Sequence, residues 1–407
     1  VSLEFVKVLD QVKRMARHLS KLDQSSLSKL DIALERLETL GCDMEFVHSR
    51  IALMRGSSVS GYRGAAHAPG LEHEVVCGLY ELPAMPATVT VAAADGSQVY
   101  PDLHAPALYY LLNIGVFAYM HGPVDVLPIQ MSEPELAFAE KQVLDEDRRP
   151  VNNQTVNARR TVREMEWLAR AACDLREQAA GPLVCIHDGP LLKYFGNTEI
   201  SGAREIERAY LTALRKIYDA GAVVVGFTDR SRSAAVISLL HLLGLAEGEI
   251  NDAILRTNGP MEGLTDVQLF SAFLDTEGGR SAIMTQNSPQ NVTYMREAPE
   301  FEIAFFYMNM GGTVARIELP MWAAASRDAV NTIQAVLHAQ CAIQGRKRYP
   351  YALTRADELA VIRAADKAQL EELIRVEMLR TGLAPETSHK LMTKGLARAE
   401  RQRHRLG

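Results

Sequence analysis

Apolar positions change their period along the chain. Through residues 3–55 they recur at helical spacing, with Phe5, Val8, Leu9, Val12 and Met15 on one face, which predicts amphipathic helices that pack or oligomerise. From residue 74 to about 320, short unbroken apolar runs alternate with helical stretches. "ATVTVAAADG", "ALYYLLNIGVFAYM", "GPLVCIHDG" and "AVVVGFTD" read as strands, whereas residues 157–177 or so and "AREIERAYLTALRKIYDAG" read as helices. The alternation predicts an α/β fold built on a mixed sheet. "EIAFFYMNMGGTVARIELPMW" predicts a hairpin turning at Asn309 to Gly312, and the chain is helical again from Asp328. Its last stretch, "SHKLMTKGLARAERQRHRLG", is basic and poor in large apolar residues, as a frayed tail is.

Two of the strand-like runs carry an acid at their ends. Asp95 follows "VTVAAA" and Asp188 follows "LVCIH", and each precedes glycine. One such pair of residues is what any tight turn looks like. Two on neighbouring strands could converge on one point beyond the sheet, where ligands of α/β folds gather. Like charges that close repel unless a cation lies between them, and oxygen ligands select Mg²⁺ or Mn²⁺ over zinc. A third carboxylate is available on the helix "NARRTVREMEWLARAA", where Glu164 shares a face with Leu168 and Ala171 and Glu166 points elsewhere; a solvated helix face is the plain alternative for both.

Composition narrows the classes. At 407 residues, with 47% hydrophobic and 23% charged, the chain can bury a sizeable core as one large domain or two. A net charge of −6 argues against an all-over basic coat for nucleic acid but permits a local basic channel. Cys42, Cys77, Cys173, Cys185 and Cys341 are odd in number and lack CxxC spacing, so neither a disulfide framework nor a zinc site is expected, and the compartment is read as the reducing cytoplasm. No apolar signal core or bilayer-spanning stretch is visible, so no membrane association is expected. The eleven histidines form no HxxxH or HExxH pattern on a credible helix, and His187 reads as a packed residue. A GxxxxGK[ST] phosphate loop is also missing, so the chain should not hydrolyse ATP alone.

The fragments "DGSQVYPDLH…YYLLNIG", "RRTVREMEWL", "CIHDGPLL", "VVVGFTDRSRS", "LTDVQLF", "EGGRSAI", "FFYMNMGGTVARIELPMW" and "GRKRYPYALTRADELAVI", in that order, resemble the NurA nuclease family and within it the bacterial branch. The resemblance runs from about Val89 to Ile362. It implies an RNase H-like nuclease core in which acidic residues hold a divalent metal, usually Mn²⁺ or else Mg²⁺, against the scissile phosphate. Carried over position by position, the implied metal ligands are Asp95, Asp188 and Glu164, with Glu166 in reserve, and the late tyrosine is Tyr349. Where some members have a metal-binding histidine, this chain has Asp357, which can ligate the same ions but offers no imidazole for proton transfer.

The family also implies a HerA-like hexameric ATPase as partner, and a homodimer whose channel passes DNA. The expected activity is phosphodiester hydrolysis on single strands and duplex ends, in end resection, repair or defence. A non-catalytic DNA clamp on the same fold is the alternative, and an RNase H-like nuclease of other specificity a further one. Arg346, Lys347 and Arg348 would draw in a DNA backbone, with a solvated loop as the plain alternative. Arg316, paired with Glu318 in "VARIELPMW", reads either as an inward residue near the site and its DNA or as half of a structural ion pair. The partition expected is an N-terminal helical segment 1–73 for dimer or partner contact, a nuclease domain 74–365 with helical insertions, and a C-terminal helix with basic tail 366–407.

Overall fold

A computed structural model describes residues 4–56, 62–122, 126–179, 181–196 and 199–383. The basic stretch at the C-terminal end therefore lies outside the described residues. In chain order come α1 (Phe5–Thr39), α2 (Met44–Gly56), β1 (Ala65–His67), β2 (Val89–Val99), β3 (Tyr110–His121), β4 (Ile129–Ala137), α3 (Glu140–Val143) and α4 (Asn153–Leu175). They are followed by β5 (Leu183–Asp188), α5 (Ala203–Asp219), β6 (Val223–Thr228), α6 (Ala235–Leu243), α7 (Asp266–Phe273), β7 (Met284–Gln286) and α8 (Pro289–Glu297). The last are β8 (Ile303–Asn309), β9 (Val314–Pro320), α9 (Met321–Ala324), α10 (Arg327–Ile343), α11 (Tyr351–Ala360) and α12 (Ala364–Arg380).

These elements form two compact units, each assembled from separated stretches. The first holds Val1–Pro86, Gly189–Lys193 and Val223–Pro350; the second holds Ala87–Asp188, Tyr194–Ala222 and Tyr351–Gly407.

In the second unit β2, β3 and β4 make an antiparallel meander, and β5 returns parallel to β2, giving the order β5, β2, β3, β4. Three antiparallel strands, a helix and a strand parallel to the first are an RNase H-like arrangement, so the expected mixed α/β class is the one observed. The helix between them, α4, starts where Asn152 accepts a hydrogen bond from the Thr155 N–H (2.8 Å), an N-cap that meets one of the orphan donors of the first turn. Its Glu164, Leu168 and Ala171 are all buried, as their shared face predicts. Trp167 is only half-buried, because Met165 takes the inward position and the Arg170 guanidinium covers the indole.

In the first unit the order is β1, β7, β8, β9, β6, all antiparallel where pairing is given. β8 and β9 form the expected hairpin, with Asn309 opposite Val314. The C-terminal half of α1 buries Ala33 and Leu37 in the core of this unit with Val47, Ile51, Val236, Phe270 and Phe305. Its N-terminal half behaves differently. Phe5, Leu9, Val12 and Met15 are between 47% and 74% exposed, so this stripe meets solvent.

Two expectations need correction. Asp95 is not at a strand end: β2 continues for four residues beyond it to Val99, because β3 pairs with it throughout and leaves "DG" no room to turn. Cys42 and Cys77 form a disulfide with Cα atoms 5.2 Å apart, contrary to the reading of five unpaired thiols. Thirty-five residues separate them, so no local spacing announced the bond, and the first unit's packing brings them together. Among the described residues no helix is long and apolar enough to cross a membrane.

A bond closing a loop of that length should contribute about 2–4 kcal/mol. Urea denaturation of the wild type should therefore shift to lower midpoint in dithiothreitol, while the Cys42→Ser and Cys77→Ser variants should start low and not respond.

Candidate active site

The second unit places an acid in the middle of a buried strand and then surrounds it with others. Small residues from Val91 to Ala94 let β2 pack tightly on both faces. Side chains alternate from face to face along a strand, so Asp95, Ser97 and the partner of Asp95 across the ladder, Gly115, share one face. That face belongs to α11. A Cβ at Gly115 would lie 2.1 Å from the Ala356 carbonyl oxygen and 2.7 Å from the Ala360 nitrogen, so the glycine lets the helix backbone rest on the strand. Polar side chains then fix the helix end: Asn113 Nδ2 donates to the carbonyls of Ala360 (2.9 Å) and Leu359 (3.2 Å), and Ser97 Oγ donates to Ala360. These bonds satisfy carbonyls that a helix terminus leaves without partners.

Asp357 is carried by this helix, and Asp188 ends β5 one step beyond the pair Ala94 and His187. Both are exposed, whereas Asp95 is half-buried and accepts from the Gly96 N–H at 2.7 Å. Burial pushes the Asp95 carboxyl up to about 6, and the charges of Asp188 and Asp357 push in the same direction; the Gly96 N–H and Arg160 oppose them. Asp95 therefore feels the charge of both other aspartates.

Glu164 approaches β2 from the other side. Its Oε1 would lie 2.8 Å from a Cβ at Gly96, the residue whose face is opposite that of Asp95, and it is 4% exposed. Arg160 holds it there: Nε is 3.1 Å from Glu164 Oε1, and Nη1 donates to Gly96 O and Gln98 Oε1, each at 3.0 Å. Glu166 pairs with Arg163 and lines a separate cavity with α5 residues. Of the two glutamates, Glu164 is the one packed on the strand.

The other residues named from the sequence belong to the first unit. Tyr349 is half-buried with its ring edge-on to Phe227 at 5.4 Å. Arg346 and Lys347 are exposed in a single 3₁₀ turn, and Arg348 pairs with Glu277 at 2.7 Å. Arg316 is 5% exposed, with Nε on Glu318 Oε1 (2.9 Å) and its Nη atoms on Ser233, Tyr307 and Gln286. This is the structural ion pair of the two readings. Ser97, Asn113 and Gly115 escaped the sequence reading, although a glycine inside the strand "NIGVF" is a known sign that another backbone approaches.

Among the described residues no group of three or more His, Cys, Asp or Glu is drawn together tightly enough to hold a metal ion as it stands. The donor chemistry nonetheless fits a hard cation. The candidate donors are all carboxylate oxygens, Asp95 is held in the strand ladder, and the exposed Asp188 and Asp357 lie near enough for their charges to act on it.

A family model described as the NurA domain matches residues 89–362. None of the curated proteins matches the chain. Among solved structures, the crystal structure of the C-terminal lobe of a budding yeast Argonaute is similar at 12% identity, over 70% of this chain and 48% of that chain, with a TM-score of 0.28. The match thus spans about half of that chain, and so faint a likeness carries no weight.

The raised Asp95 value has a sign that stability measurements can read. The native state holds this proton more tightly than the unfolded chain does, whose carboxyl titrates near 3.8. Stability from this source is fully present below that pH and is lost as pH rises through 6, at a cost of at most about 3 kcal/mol. In EDTA, Asp95→Asn should therefore melt above the wild type at pH 8, and the gap should close toward pH 4.

Proposed function

The chain belongs to the NurA family of nucleases, and on that premise we propose that it is a divalent-metal-dependent deoxyribonuclease acting on single strands and duplex ends. The observation that supports this reading is that Asp188, one step past the Ala94–His187 pair, and Asp357, on the helix packed against Gly115, both act by charge on a half-buried Asp95. Burying a carboxylate beside two others is costly, and a site that binds a cation recovers that cost.

Asp95, Asp188 and Asp357 would hold Mn²⁺ or Mg²⁺. When bound, the ion supplies a hydroxide at neutral pH and neutralises charge on the departing oxygen. The strand ladder fixes Asp95 and Asp188 in register, and Asn113 and Ser97 fix the helix that carries Asp357. Glu164 is assigned as the supporting carboxylate, kept against Gly96 by Arg160, with Glu166 set aside as a surface partner of Arg163. Tyr349 is assigned to a phosphate oxygen or the attacking water through its hydroxyl, and Arg346, Lys347 and Arg348 to the DNA backbone. With Asp357 where some family members have histidine, no imidazole at that position shuttles a proton.

The same reading includes a HerA-like hexameric ATPase, a homodimer and a cytoplasmic setting in end resection, repair or defence. The exposed apolar stripe of α1 is the surface we assign to dimer or motor contact. A non-catalytic clamp is the second reading, favoured by the loose spacing of the acids.

Labelled single-stranded and blunt duplex DNA should be cut by the wild type in Mn²⁺ or Mg²⁺ and not in EDTA, with and without the ATPase compared. Asp95→Ala should lower the rate by roughly 100-fold or more, since even outer partners of metal ligands are worth 10–100-fold. Folded protein that binds DNA and cuts under no condition would establish the clamp.

A further inference from the structure

The fragment "TDRSRS" after β6 has no part in the aspartate cluster, and in the first unit it lines a cavity of about 510 Å³. Arg63, Arg230 and Arg232 are exposed at its edge. Arg316 lies in its wall, and the one carboxylate among the lining residues, Glu318, is already met by Arg316 and by the backbone N–H groups of Leu191 (2.8 Å) and Leu192 (3.0 Å). Among the described residues Arg230 reaches the Asp229 carboxylate, at 3.8 Å, while the guanidinium is 93% exposed, a pairing worth little. With Arg316 spent on Glu318, the exposed Arg63, Arg230 and Arg232 leave the edge of this pocket positive, Asp229 offsetting one of them, in a chain of net charge −6.

The positive charge does not come from a helix terminus. The N-terminus of α6 opens toward the same loop, but its first N–H groups, those of Ala235, Val236 and Ile237, are taken by the buried Asp266 carboxylate. The exposed Arg230 and Arg232 are therefore the groups that meet a ligand first. Thr228 also lines the cavity, and its Oγ1 is buried without a hydrogen-bond partner among the described residues. The cavity also exceeds what one phosphate group fills, and its arginine forks suit phosphate oxygens.

We propose that the loop after β6, with Arg63, is a phosphodiester-binding pocket that grips the backbone of a nucleic-acid strand. The site deepens the nuclease reading and rests on it for the identity of the polyanion. Arg230 and Arg232 make the phosphate contacts, and Arg316, tied to Glu318, forms the fixed wall against which the strand lies.

The test is fluorescence anisotropy of a labelled single-stranded oligonucleotide in EDTA, across a salt series, for the wild type, Asp95→Ala and the double variant Arg230→Gln/Arg232→Gln. Both arginines are exposed, so melting should be unchanged. The double variant should bind about tenfold more weakly, with a log-log salt slope smaller by about 1.4, for two lost contacts to a single strand. Asp95→Ala should lose no affinity. Wild-type affinity and slope in the double variant would overturn the proposal. So would calorimetry showing inorganic phosphate bound through these arginines while DNA binding is unaffected, which would assign a free phosphate instead. Weakened binding in the double variant with no metal-dependent cutting by the wild type would leave the pocket standing and remove the nuclease reading alone.

Discussion

A carboxylate in the middle of a buried strand is the constraint on which the second unit turns. Asp95 has neighbours on both sides along β2, β3 paired on one flank, the end of β5 on the other and a helix backbone against its face. It cannot move to water as a loop residue could. Its solvation must come from the fixed Gly96 N–H, from protonation or from a cation, and the first of these does not prevent its acidity from weakening. The surrounding parts keep the remaining options open. Gly115 admits α11, which brings Asp357; the parallel register of β5 brings Asp188; and Gly96 leaves space for Glu164 and Arg160 on the opposite face.

Buried charge is treated in the opposite way in the first unit. Arg316 and Glu318 pair within one strand and are each completed by further partners, and Arg280 forms a two-point contact with Glu74 at 2.7 and 2.8 Å. Burial alone would lower the Arg316 guanidinium, but Glu318, Tyr307 and Asp266 hold it above its ordinary value. Breaking either pair would leave a buried charge alone, at about 3–5 kcal/mol. Closed networks of this kind fix a floor, and the exposed arginines above them remain available to a ligand. One unit thus gathers carboxylates that repel one another, and the other sets exposed arginines around one cavity.

Local pattern revealed what depends on local pattern. The runs before Asp95 and Asp188 are strands because their small and β-branched residues suit a sheet covered on both faces, and the helical face of Glu164 follows from its spacing to Leu168 and Ala171. What stayed hidden depends on distant residues. Whether "DG" turns or continues depends on β3 pairing beyond it, and Cys42 meets Cys77 only through the packing of α1 and α2. Arg316 and Arg230 look alike in sequence, yet one is locked in the core and the other is in solvent. The opposed faces of Asp95 and Glu164 follow from strand alternation once Gly96 is known to meet α4.

The central claim is that the aspartates around Asp95 make a divalent-cation site, and binding tests it without any reference to cleavage. Electron paramagnetic resonance of free Mn²⁺, titrated with protein at pH 8, gives the bound fraction directly. The account predicts saturable binding by the wild type that is lost in Asp95→Asn and weakened in Asp188→Asn and Asp357→Asn. Wild-type protein that takes up no Mn²⁺, or an Asp95→Asn variant that binds it equally well, would contradict it.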